Sequence, residues 1–296
     1  MRKFATILLA VVISILFADS GVFFLRTEVS PTNISTAQTY YMMKNELENS
    51  DYNPASVFHK DDLKTFLSYR KYQDEGQIGG FGISKRMSRH LIGLKVSYLY
   101  VDEFEGRDIP SIEPQYVFDS RNFITDIVYG YEFSTFKVGV AAKYIYEKIE
   151  FEDAGGFAFS AGFYKEDLFT QDLDIGLALN NLGMMTKMNN EISDLPADAT
   201  FGLSYNIDTD LGISTAIAVS EKYLLNDDEL ESYSGVELGY ENKVFARFGY
   251  RFNNEGMPFS LGLGFKFKNM SLNYSYSPFS DEIGDSHGFG FSYSFE

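Results

Sequence analysis

The amino-acid sequence predicts an all-β fold: a transmembrane β-barrel of about 14 antiparallel strands with an N-terminal plug segment. Three observations carry this. Large apolar residues recur at every second position from about residue 63 to the end. The positions between them hold Gly, Ser, Asn and charged groups, so each strand has one greasy face and one polar face. Each run is about nine to eleven residues long, enough for a tilted strand to cross a bilayer.

The elements follow in order. Residues 1–20 read as a cleaved signal peptide. Met1, Arg2 and Lys3 are a basic start, Phe4 to Phe17 is apolar apart from Thr6 and Ser14, and Ala18-Asp19-Ser20 ends on small residues. The apolar run is too short for a membrane anchor. Residues 21–61 do not alternate. They carry Pro31, Asn33 and several Ser and Thr, then Tyr40-Tyr41-Met42-Met43, then the acidic Glu46, Glu48 and Asp51. The aromatics need burial, which favours a plug folded into the lumen over a loose linker.

Residues 62–296 form the barrel. The alternating runs are 63–70, 77–85, 91–101, 122–133, 136–149, 156–164, 172–181, 199–207, 211–220, 233–241, 244–252, 258–267, 270–277 and 287–295. Residues 112–119 extend the fourth run or form a loop. With the C-terminus placed in the periplasm, the inner turns fall near Met87, Ser134, Glu166, Asp208, Asn242 and Lys268, most of them tight. The outer connections are longer, as outer-membrane barrels require, although 165–171 is long for an inner turn. The last run alternates Phe289, Phe291, Tyr293 and Phe295 with Gly288, Gly290, Ser292 and Ser294.

Composition closes off other classes. With 42 acidic and 25 basic residues the net charge is −17, which excludes a nucleic-acid partner. There is no Cys, so no disulfide, thiolate chemistry or cysteine-bound metal. There is no Trp, and Tyr must serve any interfacial aromatic belt. Asp285-Ser286-His287 has the residues of a hydrolase triad, but neighbours on a strand point to opposite sides. The run 226–231 is acidic yet lacks the spaced ligands and glycine of a calcium loop. No catalytic group, cofactor or metal site is expected, and the protein is not an enzyme.

The inward positions carry Lys95, Asp126, Glu132, Lys137, Lys143, Glu147, Asp174, Glu237, Glu241, Arg247, Arg251 and Lys266. The hairpin 233–252 is expected to bring Glu237 and Glu241 near Arg247 and Arg251. A structural charge network that fills the barrel and holds the plug is favoured over a selectivity eyelet, because buried charges of both signs pair.

Phe24-Leu25-Arg26 followed by Asn53-Pro54-Ala55 resembles the N-terminal hatch of the PorV/PorQ proteins, within the FadL-like outer-membrane barrels. The resemblance continues through Leu177-Ala178-Leu179-Asn180-Asn181-Leu182-Gly183, Leu195-Pro196 and Phe201-Gly202-Leu203-Ser204-Tyr205. It runs on through Gly235 to Tyr240, Ala246 to Tyr250, Leu272 to Phe279 and Gly284 to His287. The family's hatch is rich in Gly and Ala, whereas residues 28–35 here are Glu-Val-Ser-Pro-Thr-Asn-Ile-Ser. The resemblance implies a fourteen-stranded barrel in the bacterial outer membrane, in contact with its lipid, with Arg26, Asn53, Pro54 and Ala55 as plug-motif residues. It implies a role in protein secretion or surface assembly, type IX secretion included, with secretion or cargo proteins as partners. The alternative is a FadL-like transporter of long-chain fatty acids or other hydrophobic small molecules, with a ligand in the lumen.

Overall fold

The computed structural model describes residues 22–72, 76–106, 114–188, 191–252, 254, 256–280 and 284–295. The expected signal peptide, 1–20, lies outside the described residues.

Fourteen strands close into one antiparallel barrel. They are β1 (Leu63–Tyr72), β2 (Gly76–Met87), β3 (His90–Gly106), β4 (Tyr116–Glu132), β5 (Lys137–Ile149), β6 (Glu152–Lys165) and β7 (Leu173–Met185). After a two-stranded hairpin of β8 (Lys187–Met188) and β9 (Glu191–Ile192) come β10 (Asp198–Asp208), β11 (Ile213–Leu224) and β12 (Glu229–Tyr240). The barrel ends with β13 (Val244–Arg251), β14 (Phe259–Phe267), β15 (Met270–Pro278) and β16 (Asp285–Phe295). Each expected run overlaps one barrel strand. Residues 116–119 belong to β4.

The closing pair is β1 with β16, from Leu63 opposite Phe295 to Lys71 opposite His287. It closes the ring of strands. The rim bearing Phe295 has the tight turns, and residues with positive φ make them: Ser88, Asn242 and Lys268. It is called the inner rim below. The opposite, outer rim carries the longer connections.

Leu67, Phe81, Ile127, Phe157, Leu263 and Phe289 are among the many apolar side chains that face outward. Tyr69, Tyr98, Tyr223 and Tyr250 face out towards the outer rim, and Tyr129, Tyr205 and Tyr240 towards the inner one. Tyrosine thus forms both aromatic belts in a chain without Trp.

The wall is irregular at β7. Register with β6 slips between Phe159 and Ala161, and Asn181 takes φ 57°. β10 pairs with β7 only up to Asn180. Above that point Leu195, Pro196 and Ala197 fold into the lumen and are buried. Sequence alternation gave no sign of this, because the segment reads as an ordinary outer loop.

Candidate functional site

Residues 22–61 fill the lumen as a chain of short helical turns at Phe23–Arg26, Pro31–Ser35, Tyr40–Met43 and Leu47–Asp51. Local chemistry sets them. Pro31 opens the second turn, where its missing N–H costs nothing. The Ser35 and Thr36 hydroxyls donate back to the Thr32 carbonyl at 3.0 and 2.9 Å. Ala37 and Gln38 then take positive φ, and the helix stops.

Asn53-Pro54-Ala55 forms a docked turn. Asn53 Oδ1 accepts the Ala55 N–H at 2.9 Å, while its Nδ2 donates to the Phe163 carbonyl of β6 at 3.0 Å. The Ser56 hydroxyl donates to the Asn53 carbonyl at 2.8 Å. One side chain both accepts and donates here, which Asn can do and an ionised Asp cannot. The turn lies flat on the wall because Gly139 has no side chain. A Cβ there would overlap the Pro54 carbonyl.

Charge fixes the rest. Asp51 lies between Lys95, which it bonds, and Lys143, with Nζ at 3.1 Å. Lys95 also meets Asp126 at 3.0 Å, and Lys143 donates to Asn181 Oδ1 at 3.0 Å. Burial pushes the Asp51 carboxyl up, but the two ammonium groups more than reverse this and hold it well below the usual carboxylate range. Glu46 pairs with Lys64 at 2.6 Å and Lys44 with Glu237 at 3.1 Å. Arg247 Nε donates to the other Glu237 oxygen at 2.6 Å.

The expected charge group is therefore split. Glu237 and Arg247 are directly opposed in the β12–β13 register. Arg251 lies opposite Tyr233, towards the outer rim, where its guanidinium is 3.7 Å from Glu28 and donates to Ser260 at 2.6 Å. Glu241 is not in the lumen. It occupies the inner turn, exposed, and pairs with Lys243 at 2.7 Å. The antiparallel register explains it: the turn puts residue 241 at the opposite end of the hairpin from Arg251. Lys266 is exposed at the inner rim as well. Arg26 reaches the outer rim, with Glu231 at 2.9 Å and Asp227 at 3.7 Å. The partners Glu28, Lys64 and Lys222 were not picked out from sequence. The signal was a plug rich in acid facing a wall with inward lysines.

Ser286 and His287 point apart. Ser286 Oγ accepts from Arg70 Nε at 2.6 Å, and His287 Nδ1 lies 2.9 Å from the Tyr274 hydroxyl.

Towards the outer rim the lumen wall of β2 to β7 is apolar, while the buried Arg70, Lys222 and Arg251 stand on β1, β11 and β13. Ile78 faces Leu99 across β2–β3, and Ile124 faces Ile145 across β4–β5. With Met185 and Leu195 they form a buried apolar cluster that packs against Val22 and Phe24 of the plug. At the inner rim, by contrast, a cavity of about 110 Å³ is polar, lined among others by Lys44, Glu46, Glu48, Lys64, Arg247 and Asn273.

No family model matches the chain, and no curated protein matches it. Solved structures do. The CymD monoaromatic hydrocarbon channel superposes with a TM-score of 0.64 at 11% identity, over 90% of this chain and 98% of that one. The Ralstonia pickettii toluene transporter TbuX gives 0.60 at 13% identity, over 93% and 100%. The P. putida toluene transporter TodX gives 0.58 at 10% identity, over 82% and 93%. At these identities the likeness is one of fold: a closed, fourteen-stranded antiparallel β-barrel.

Proposed function

We propose that this chain is a plugged outer-membrane channel for neutral hydrophobic small molecules. The observation that carries the reading is the apolar cluster towards the outer rim, Ile78, Leu99, Ile124, Ile145, Met185 and Leu195, which the plug covers with Val22 and Phe24. A neutral, apolar ligand gains by leaving water for such a site. The barrels of like fold are described as channels for monoaromatic hydrocarbons and toluene, which makes single-ring hydrocarbons the first class to test. Because the plug fills the lumen, passage requires part of it to move.

A role in protein secretion rests on the sequence resemblance alone. Its motif Asn53-Pro54-Ala55 is engaged in seating the plug.

The test is purification of the full chain from native membranes in mild detergent, with mass spectrometry of bound small molecules and proteins. The channel reading expects a neutral hydrophobic molecule at stoichiometric level, or retention of added toluene. Secretion proteins recovered with no bound small molecule and no toluene retention would overturn it.

A further inference from the structure

The seam that closes the barrel carries outward side chains in register. Leu67, Phe291 and Leu272 stand in one row across β1, β16 and β15. Tyr69, Phe289 and Tyr274 form the next row towards the outer rim. Together they line an apolar groove of about 340 Å³ on the membrane side of the wall. A groove of this kind takes a flexible hydrocarbon chain more readily than a flat wall does, because the chain gains contacts on three sides.

One row further out the chemistry changes. Lys71 is paired with His287, and His287 with Tyr276. Strand parity puts all three on the same outward face as Tyr69, Phe289 and Tyr274. The Tyr274 hydroxyl lies 2.9 Å from His287 Nδ1. A hydroxyl that donates to Nδ1 leaves Nε2 as the protonated nitrogen, so His287 offers a donor on the residue paired with Lys71. Asp285, one row further out again, takes the hydroxyl of Tyr276. Lys71 is exposed, and among the described residues no ion pair involves it. It stands two residues beyond Tyr69 of the outer aromatic belt, at the level where lipid head groups begin. A cation there is matched by lipid phosphate.

We propose that this face binds one phosphorylated lipid of the outer leaflet, with an acyl chain in the groove and the phosphate on Lys71 and His287. The lipid would span β1, β16 and β15 and so clasp the seam where the first and last strands meet. The site lies outside the lumen and does not depend on what the lumen carries.

The test uses the purified full chain, stripped of lipid in detergent, with binding followed by native mass spectrometry. The two probes differ only in the phosphate: dipalmitoyl phosphatidic acid and dipalmitoylglycerol. The parent chain should bind the first about tenfold more tightly. Lys71→Gln should weaken phosphatidic acid about fivefold and leave dipalmitoylglycerol unchanged. Leu272→Trp fills the groove and should weaken both probes. Lys268→Gln, at an exposed inner turn, should change neither. Circular dichroism checks that each variant keeps its strands. Equal binding of the two probes to the parent chain would overturn the site. So would phosphatidic acid binding that Lys71→Gln leaves unchanged, or that Lys268→Gln lowers just as much. A loss with Lys71→Gln and none with a folded Leu272→Trp would show attraction of the head group alone and would overturn the acyl groove.

Discussion

Gly139 of β5 and Pro54 of the plug are in backbone contact, and no side chain fits between them. Gly249 meets the backbone of Thr36 and Ala37 in the same way on the far wall. The glycines that alternate with large outward residues therefore make room for the plug rather than for an open pore.

Gly139→Val should lift the Asn53-Pro54-Ala55 turn off the wall. Overpacking of this kind costs about 1–3 kcal/mol. Because a plug contact is lost while the barrel ladder is kept, conductance in planar bilayers should rise and strand content by circular dichroism should not change. A silent, fully plugged variant would contradict this contact.

Glu237 and Arg247 are both almost fully buried. Glu237→Ala removes the facing carboxylate and leaves the guanidinium with the neutral Asn273 at 2.9 Å and the Tyr40 and Phe245 rings, and should lower stability by about 3–5 kcal/mol. Adding Arg247→Met should recover much of that loss. Unfolding in detergent measures both, and equal stability of Glu237→Ala and the wild type would rule out the pair as a stabilising element.

Asp51→Asn removes the carboxylate that Lys95 and Lys143 share. Lys95 keeps Asp126 and Lys143 keeps Asn181, so the cost should be about 2 kcal/mol rather than the full cost of a stranded charge. Protease resistance of residues 29–61 reads this directly, and it should fall.

Glu48 gives the plug a pH dependence. Burial, with Glu46 beside it, pushes this carboxyl up to about 7 from 4.5, against Lys64, Ser30 and Arg247. A raised carboxyl pKa means the seated plug holds the proton more tightly than the released one. Its contribution is complete below about 4.5 and is lost as pH rises through about 7. Asp51, held low, changes only at more acidic pH. The midpoint of thermal release should fall between pH 5 and 8, and Glu48→Gln should flatten that slope. An equal slope in the variant would assign it elsewhere.

The barrel was legible in the sequence because a period of two is imposed by lipid on one side and the lumen on the other. Phe259, Leu261, Leu263 and Phe265 face out for that reason, and the pairing of Glu237 with Arg247 follows from the same parity. Glu241 was misplaced because alternation does not mark where a strand becomes a turn. The outer apolar cluster has no signature in the sequence although Ile145 lies on the inward parity, since one apolar residue per strand is noise until four strands bring Ile78, Leu99, Ile124 and Ile145 together. The inward fold of Leu195 to Ala197 depends on the bulge at Asn181, which has no periodic signature.

The most direct measurement is uptake of radiolabelled toluene by cells that express the full chain, an Ile145→Lys variant with normal barrel folding, or neither. The account predicts faster uptake with the chain than without it, and a return to background when a charge is placed in the outer apolar cluster. Uptake that is equal with and without the chain, or undiminished by Ile145→Lys, would contradict it.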